Sequence, residues 1–204
     1  MPKIVDKAAK REEILQAALK VFARQGYNYT KMIDIAREAN IGKGTIYEYF
    51  RSKEEILLAA YDHYMQISNE RIATILARPI TPLEKVREII LQTIRIYASD
   101  PEIMRVFFDF WIESTHNKNI TEMDFRKLYA DYRALGRNLL EEAKQAGQVR
   151  KDISENVPSI LVAVVEGTFL QWIIDPDAFD ILKMAEDIVD TLFRGLTTAA
   201  ASEA

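Results

Sequence analysis

The sequence predicts an all-α protein of about nine helices, an N-terminal three-helix helix-turn-helix head followed by a larger helical-bundle body. Three observations lead there. Only 7 Gly and 6 Pro stand among 204 residues, too few for many short strands joined by tight turns. The stretches between them are rich in Ala, Leu, Ile, Glu, Lys and Arg, the better helix formers. Helix-starting and helix-stopping residues recur at helical spacing, and 49% hydrophobic residues are enough to fill a sizeable core.

A first helix is expected from about Lys10 to Gln25, with Ile14, Leu15, Ala18, Val21 and Phe22 on one face and Gly26 as its stop. Thr30 is placed to cap a second, whose inward residues are Met32, Ile35, Ala36 and Ala39. Asn40, which tolerates left-handed φ, ends it. The third begins near Gly42 or Lys43 and ends by Arg51. Ser52-Lys53-Glu54-Glu55 has the capping-box pattern and opens a long fourth helix; Thr81-Pro82-Leu83-Glu84 opens the fifth, with proline at the first helical position. Asp100-Pro101 repeats the cap-then-proline signal and starts a helix to about Ser114. Further helices are expected from Thr121 to Ala146 with Gly147 as the stop, from about Ser154 to Ile174, and from about Asp177 to Arg194. The closing TTAAASEA is expected to fray. Residues 1–52 form the expected head and 53–204 the body, with no flexible linker between the third and fourth helices.

Composition removes several kinds of chemistry. There is no cysteine, and His63 and His116 are the only two histidines, so thiolate metal sites and a metal cofactor are not expected. No paired nucleophile and base or phosphate-cradling loop is present, which argues against an enzyme. The opening MPKIVDKAAKREE is polar and unlike a secretory signal, so the expected compartment is the cytoplasm. The longest apolar run, Ile160 to Ile174, contains Glu166 and Gln171 and is shorter than a bilayer span requires, so no membrane partner is expected.

Charge is unevenly placed. The net charge is −4, yet residues 1–55 hold 11 Lys and Arg against 8 Asp and Glu. A local basic excess on an acidic chain suggests a confined polyanion-binding face. On a helical wheel of the third helix, Ile46 and Phe50 share one side, while Gly44, Thr45 and Glu48 share the other and Tyr47 and Tyr49 flank it. Such a helix can enter a major groove with a phenol aimed at the phosphates on each wall. Gly44 permits close approach and Lys43 adds charge at the helix start. Thr30 and Lys31, opening the second helix, and Lys53, opening the fourth, are placed to hold further phosphates. The basic residues near the start, Lys3, Lys7, Lys10 and Arg11, suit either a minor-groove arm or, preferably, solvated disorder.

The string GYNYTKMIDIAREANIGKGTIYEYFRSKEEIL resembles the DNA-binding signature of the TetR family of bacterial repressors. In that signature a Thr precedes an "IA…A" helix, a Gly/Ser-x-Gly-Thr turn follows, and Tyr-x-Tyr/His-Phe leads into Ser/Asn-Lys-Glu. Thr30, Ile35, Ala36, Gly44, Thr45, Tyr47, Tyr49, Phe50, Ser52, Lys53 and Glu54 stand where the pattern has them. Asn40 replaces the commoner Gly. Ile33 occupies a position usually polar, and Glu48 puts an acid on the groove face, where it would repel phosphate unless it accepts a hydrogen bond from a cytosine amino group. The resemblance implies a double-stranded DNA operator as partner.

The body is less diagnostic. Between Tyr97 and Tyr132 lie eight of the 20 aromatics, which suits a pocket for an apolar or aromatic small molecule as well as it suits a plain core. The candidates for effector contact are Tyr64, Tyr97, Phe107, Phe110 and Trp111, then Tyr129, Tyr132, Glu166 and Phe169. Glu166 stands out as a carboxylate within an apolar helix, where it would meet a cationic or hydroxylated ligand, a neighbouring subunit, or a simple hydrogen-bond partner. The last two helices carry more apolar residues than one core face needs: Val162, Val165, Phe169 and Ile173, then Leu182, Ile188, Val189, Leu192 and Phe193. By resemblance this implies a homodimer through helices eight and nine. The expected function is a repressor released from a palindromic operator by a small effector. A DNA-bound adaptor governed by a protein partner is the alternative, and a helical enzyme or lipid carrier is the less favoured third reading.

Overall fold

A computed structural model describes residues 6–116 and 125–197, and within them nine α-helices and no strand. The nearest approach to a sheet is one isolated antiparallel bridge between Val149 and Thr197. By contacts the chain forms two compact units, one drawn from Met1–Ile67 and Pro101–Met123, the other from Ser68–Asp100 and Asp124–Ala204. The motif-based boundary after residue 52 therefore differs from the contact-based grouping, which keeps the first half of the fourth helix and all of the sixth with the head.

In the first unit, α1 (Lys7–Gln25) starts earlier than expected because the Asp6 carboxylate accepts from the Ala8 and Ala9 N–H groups. The five inward residues are buried as the periodicity required, with Ile14, Ala18 and Val21 fully inaccessible. Gly26, at positive φ, ends the helix. α2 (Met32–Glu38) and α3 (Lys43–Tyr49) follow. Asn40 turns the chain between them at φ 53°, while the Ile41 N–H donates to Ala36 O. Ile35, Ala36 and Ile46 are fully buried, so α2 and α3 share the α1 core. α4 (Lys53–Leu76) buries Ile56 and Leu57, and α6 (Pro101–His116) packs on α1. The Nε2 of His63 on α4 lies 3.6 Å from the Glu12 carboxylate of α1.

The second unit contains α5 (Pro82–Ser99), α7 (Phe125–Gln145), α8 (Val157–Ile174) and α9 (Ile181–Leu196). The capping box of α5 forms as expected: Thr81 Oγ1 accepts from Glu84 N–H and the Glu84 carboxylate from Thr81 N–H. Hydrogen bonding to the carboxylate from Thr81, first from its backbone N–H and then from its side chain, holds the exposed Glu84 carboxyl below its ordinary range. Gly147, at φ +72°, closes α7. The expected α7 start at Thr121 and the tail from residue 198 lie outside the described residues. α8 begins three residues later than Ser154, whose Oγ instead accepts from the Asn156 N–H in a turn, and α9 begins at Ile181 because Asp180 caps it.

α5 packs on α7, α8 and α9, and α8 packs on α7 and α9. At 18 residues α8 is longer than the 15-residue run suggested, and by length and composition alone it meets the minimum for a membrane span. Of the residues expected to supply a second apolar face on α8 and α9, Val165, Phe169, Ile188 and Val189 are buried within this chain, whereas Leu182 is exposed, together with Ile160, Leu170 and Ile174, which that expectation did not include.

Candidate nucleic-acid interface

A seven-residue helix offers its neighbours only one side. On α3, Ile46 is fully buried and Phe50, just past its end, is 1% exposed, so the opposite side is committed to solvent. Lys43, Gly44 and Glu48 are exposed, Tyr47 is 48% exposed, and Thr45 and Tyr49 are half-buried. A Cβ placed on Gly44 would meet nothing within 4 Å, so this surface carries no protein packing of its own. The Arg11 guanidinium sits 4.8 Å from the Phe50 ring centroid and holds the far end of α3 against α1. Arg24 reaches Glu38 at 3.1 Å, fastening α2 in the same way. The result is a short helix held rigidly from behind with a glycine-opened front.

Two of the expected phosphate contacts are redirected. Thr30 is 2% exposed and its hydroxyl donates to Gly26 O at 2.8 Å, so it neither caps α2 nor faces solvent. The α2 start is instead closed by Asp34, whose carboxylate accepts from the Lys31 N–H. Lys53 turns its ammonium inward, donating to Tyr27 O at 2.8 Å and Asn28 O at 3.2 Å, with its Nζ 4.4 Å from the Tyr27 ring centroid. It ties the loop before α2 to the start of α4. Lys31 and Lys43 remain exposed, without an ion-pair partner among the described residues. Lys7, Lys10 and Arg11 belong to α1 and not to a disordered arm; Lys3 lies outside the described residues.

Tyr27 is the residue that sequence reasoning missed. Its ring lies 5.3 Å from Phe22 and 6.4 Å from Phe110. Burial, with the Glu54 carboxylate accepting its hydroxyl, pushes the phenol above its ordinary pKa. Burial works against the Glu54 charge, yet hydrogen bonds from its own N–H, Ser52 and Tyr27 hold that carboxyl below the usual range. A lone tyrosine in a turn has no periodicity to announce it. Tyr29, in the same turn, is 82% exposed.

The effector candidates divide between the two units. In the first, Phe107 is buried with its ring 5.4 Å from both Tyr61 and Tyr64, Phe110 is buried against Tyr27, and Trp111 meets Phe108 at 5.7 Å. In the second, fully buried Phe169 lies 4.7 Å from Tyr97 and 6.0 Å from Trp172. Tyr129 donates its hydroxyl to Glu166 Oε1 at 2.5 Å, and the two tyrosine rings 129 and 132 stand 6.4 Å apart. Burial raises the Glu166 carboxyl pKa, partly offset by that hydrogen bond. Burial and the charge of Glu166 push the Tyr132 phenol up to about 12.

Comparison with known proteins decides what this arrangement is. The family model described as bacterial regulatory proteins, tetR family, matches residues 14–60, and that described as BetI-type transcriptional repressor, C-terminal, matches residues 82–194. The chain belongs to the TetR family. It is 27% identical over 201 residues to the transcriptional repressor BepR of Brucella suis, covering 95% of this chain and 94% of the relative. It is 22% identical over 191 residues to the fatty acid metabolism regulator protein of Bacillus subtilis, covering 93% and 97%. The solved SmeT–triclosan complex superposes with a TM-score of 0.77 at 22% identity, covering 95% and 94%. The fold is thus shared along nearly the whole length. As a TetR-family member the protein is a DNA-binding transcriptional regulator, and the first matched segment holds all of α2 and α3.

Proposed function

We propose that this TetR-family protein is a repressor that binds a palindromic operator as a homodimer and is released by a small apolar or aromatic effector. Residues 1–52 act as the reading head and 53–204 as the effector-binding and dimerisation body, working in the cytoplasm. The observation that carries the reading is the front of α3, where an open glycine and exposed Lys43 and Tyr47 are backed by fully buried Ile46. Lys43, Gly44, Thr45 and Glu48 face the groove, while Tyr47, Tyr49 and Lys31 hold phosphates. Thr30 and Lys53 support that face from inside the head.

Support for the dimer comes from α8, where Ile160, Ala163, Gly167, Leu170 and Ile174 follow a three-four spacing along one open side, three of them large exposed apolar residues. That is the spacing of a helix-pairing seam, with Gly167 allowing close approach, and Leu182 of α9 extends it. Support for the effector comes from the ring cluster around Phe169, Tyr129 and Glu166, and from a fold shared with a protein solved in complex with triclosan. A coupling of about 1–3 kcal/mol between effector and operator corresponds to a 5–150-fold change in affinity.

Selection of bound sequences from random duplex DNA tests the reading. The native protein is expected to enrich a palindrome, and Tyr47→Ala to lose most of that enrichment while keeping its thermal midpoint. Enrichment of no sequence by the native protein contradicts the proposal.

A further inference from the structure

One flank of α8 carries Val162, Glu166, Phe169 and Ile173 at helical spacing, an apolar stripe interrupted by one carboxylate that meets Tyr129 of α7. That carboxylate is half-buried, and its only hydrogen bond among the described residues is the one Tyr129 donates to Oε1. No Lys, Arg or His among the described residues lies within ion-pair distance of it. A neutral amide in its place would satisfy the Tyr129 hydroxyl equally well, so helix pairing alone gives no reason for a charge at this position. A partly desolvated carboxylate that lacks a cation is costly, and a ligand cation supplies what the fold does not. Close by, the half-buried rings of Tyr97 on α5 and Trp172 on α8, packed on fully buried Phe169, offer ring surface suited to the apolar part of the same molecule.

We propose that Glu166 is the recognition point for a protonated amine borne on an apolar or aromatic body, its Oε2 accepting the ammonium N–H while Tyr129 holds Oε1 in place. The inference rests on the reading of the body as an effector site and specifies the ligand class that site selects. An N–H donor is required because the open oxygen needs a hydrogen bond as well as a charge. Ligands with an acidic head are repelled by the same carboxylate.

Calorimetric titration of the full chain with phenylbutylamine, phenylbutanol and phenylbutyrate tests it, since the three share a body and differ in the head. The amine is expected to bind about tenfold or more tighter than the alcohol, as befits a charge-assisted hydrogen bond, with the carboxylate weakest. Glu166→Gln is expected to remove the advantage of the amine and leave the alcohol within about twofold, while Tyr129→Phe, which keeps the charge, retains the preference for the amine. Equal binding of amine and alcohol overturns the assignment of class but leaves an apolar effector site in place. A preference for the amine that survives in Glu166→Gln, or no binding of any of the three to the native chain, also overturns the assignment. These failures are distinguished from failure of the repressor reading, which the DNA selection tests without any ligand.

Discussion

Phe50→Ala is expected to destabilise the head by about 3–5 kcal/mol, the range for removing a buried phenylalanine. The ring is 1% exposed, closes the space behind α3 and receives the Arg11 guanidinium at 4.8 Å, so its loss removes packing and leaves a cation over a void. Denaturant unfolding followed by circular dichroism checks this, with an early transition expected for the helices around α3. Operator binding falls in parallel because the reading helix is no longer held from behind. A loss below about 1 kcal/mol would mean that the site collapses around the gap and that Phe50 is not the anchor proposed.

Gly44→Leu is the contrasting case. A Cβ at this position meets nothing within 4 Å, so the leucine is accommodated in the free protein, and replacing glycine inside a helix adds roughly 0.5–1 kcal/mol of stability. In the complex the same side chain stands where the helix backbone meets base edges. If each half-site loses about 1–2 kcal/mol, comparable with a mismatched base pair, a symmetric dimer loses roughly 100-fold in operator affinity. The expected signature is a protein at least as stable as the native one that no longer retains the operator duplex in fluorescence anisotropy. Native affinity in a stable Gly44→Leu protein would place the DNA elsewhere.

Much of this was legible in the residues because the signals are local. Thr81, Pro82 and Glu84 announce α5 within four positions, and Asn40 and Gly147 carry the positive φ that their side chains, or the lack of one, allow. Ile46 and Phe50, four apart, told which side of α3 is buried before any packing was known. What escaped depends on partners distant in the chain. Lys53 was placed on a phosphate because a lysine at a helix start favours one; its carbonyl acceptors lie 25 and 26 residues away, and no local rule pairs them. Thr30 has a side chain able to cap, but its hydroxyl is taken by Gly26 O one turn earlier. α8 is apolar nearly all round, so its periodicity has no direction, and only the packing of α5, α7 and α9 showed that the open residues are Ile160, Leu170 and Ile174.

The most direct measurement is to follow the backbone amide resonances of Lys43 to Tyr49 in the full chain as a selected operator duplex is added at low salt. The account predicts the largest shifts at Lys43, Gly44, Thr45 and Tyr47, with fully buried Ile46 and Ile35 moving far less. Shifts confined to other helices, with α3 unmoved at saturating duplex, would contradict it.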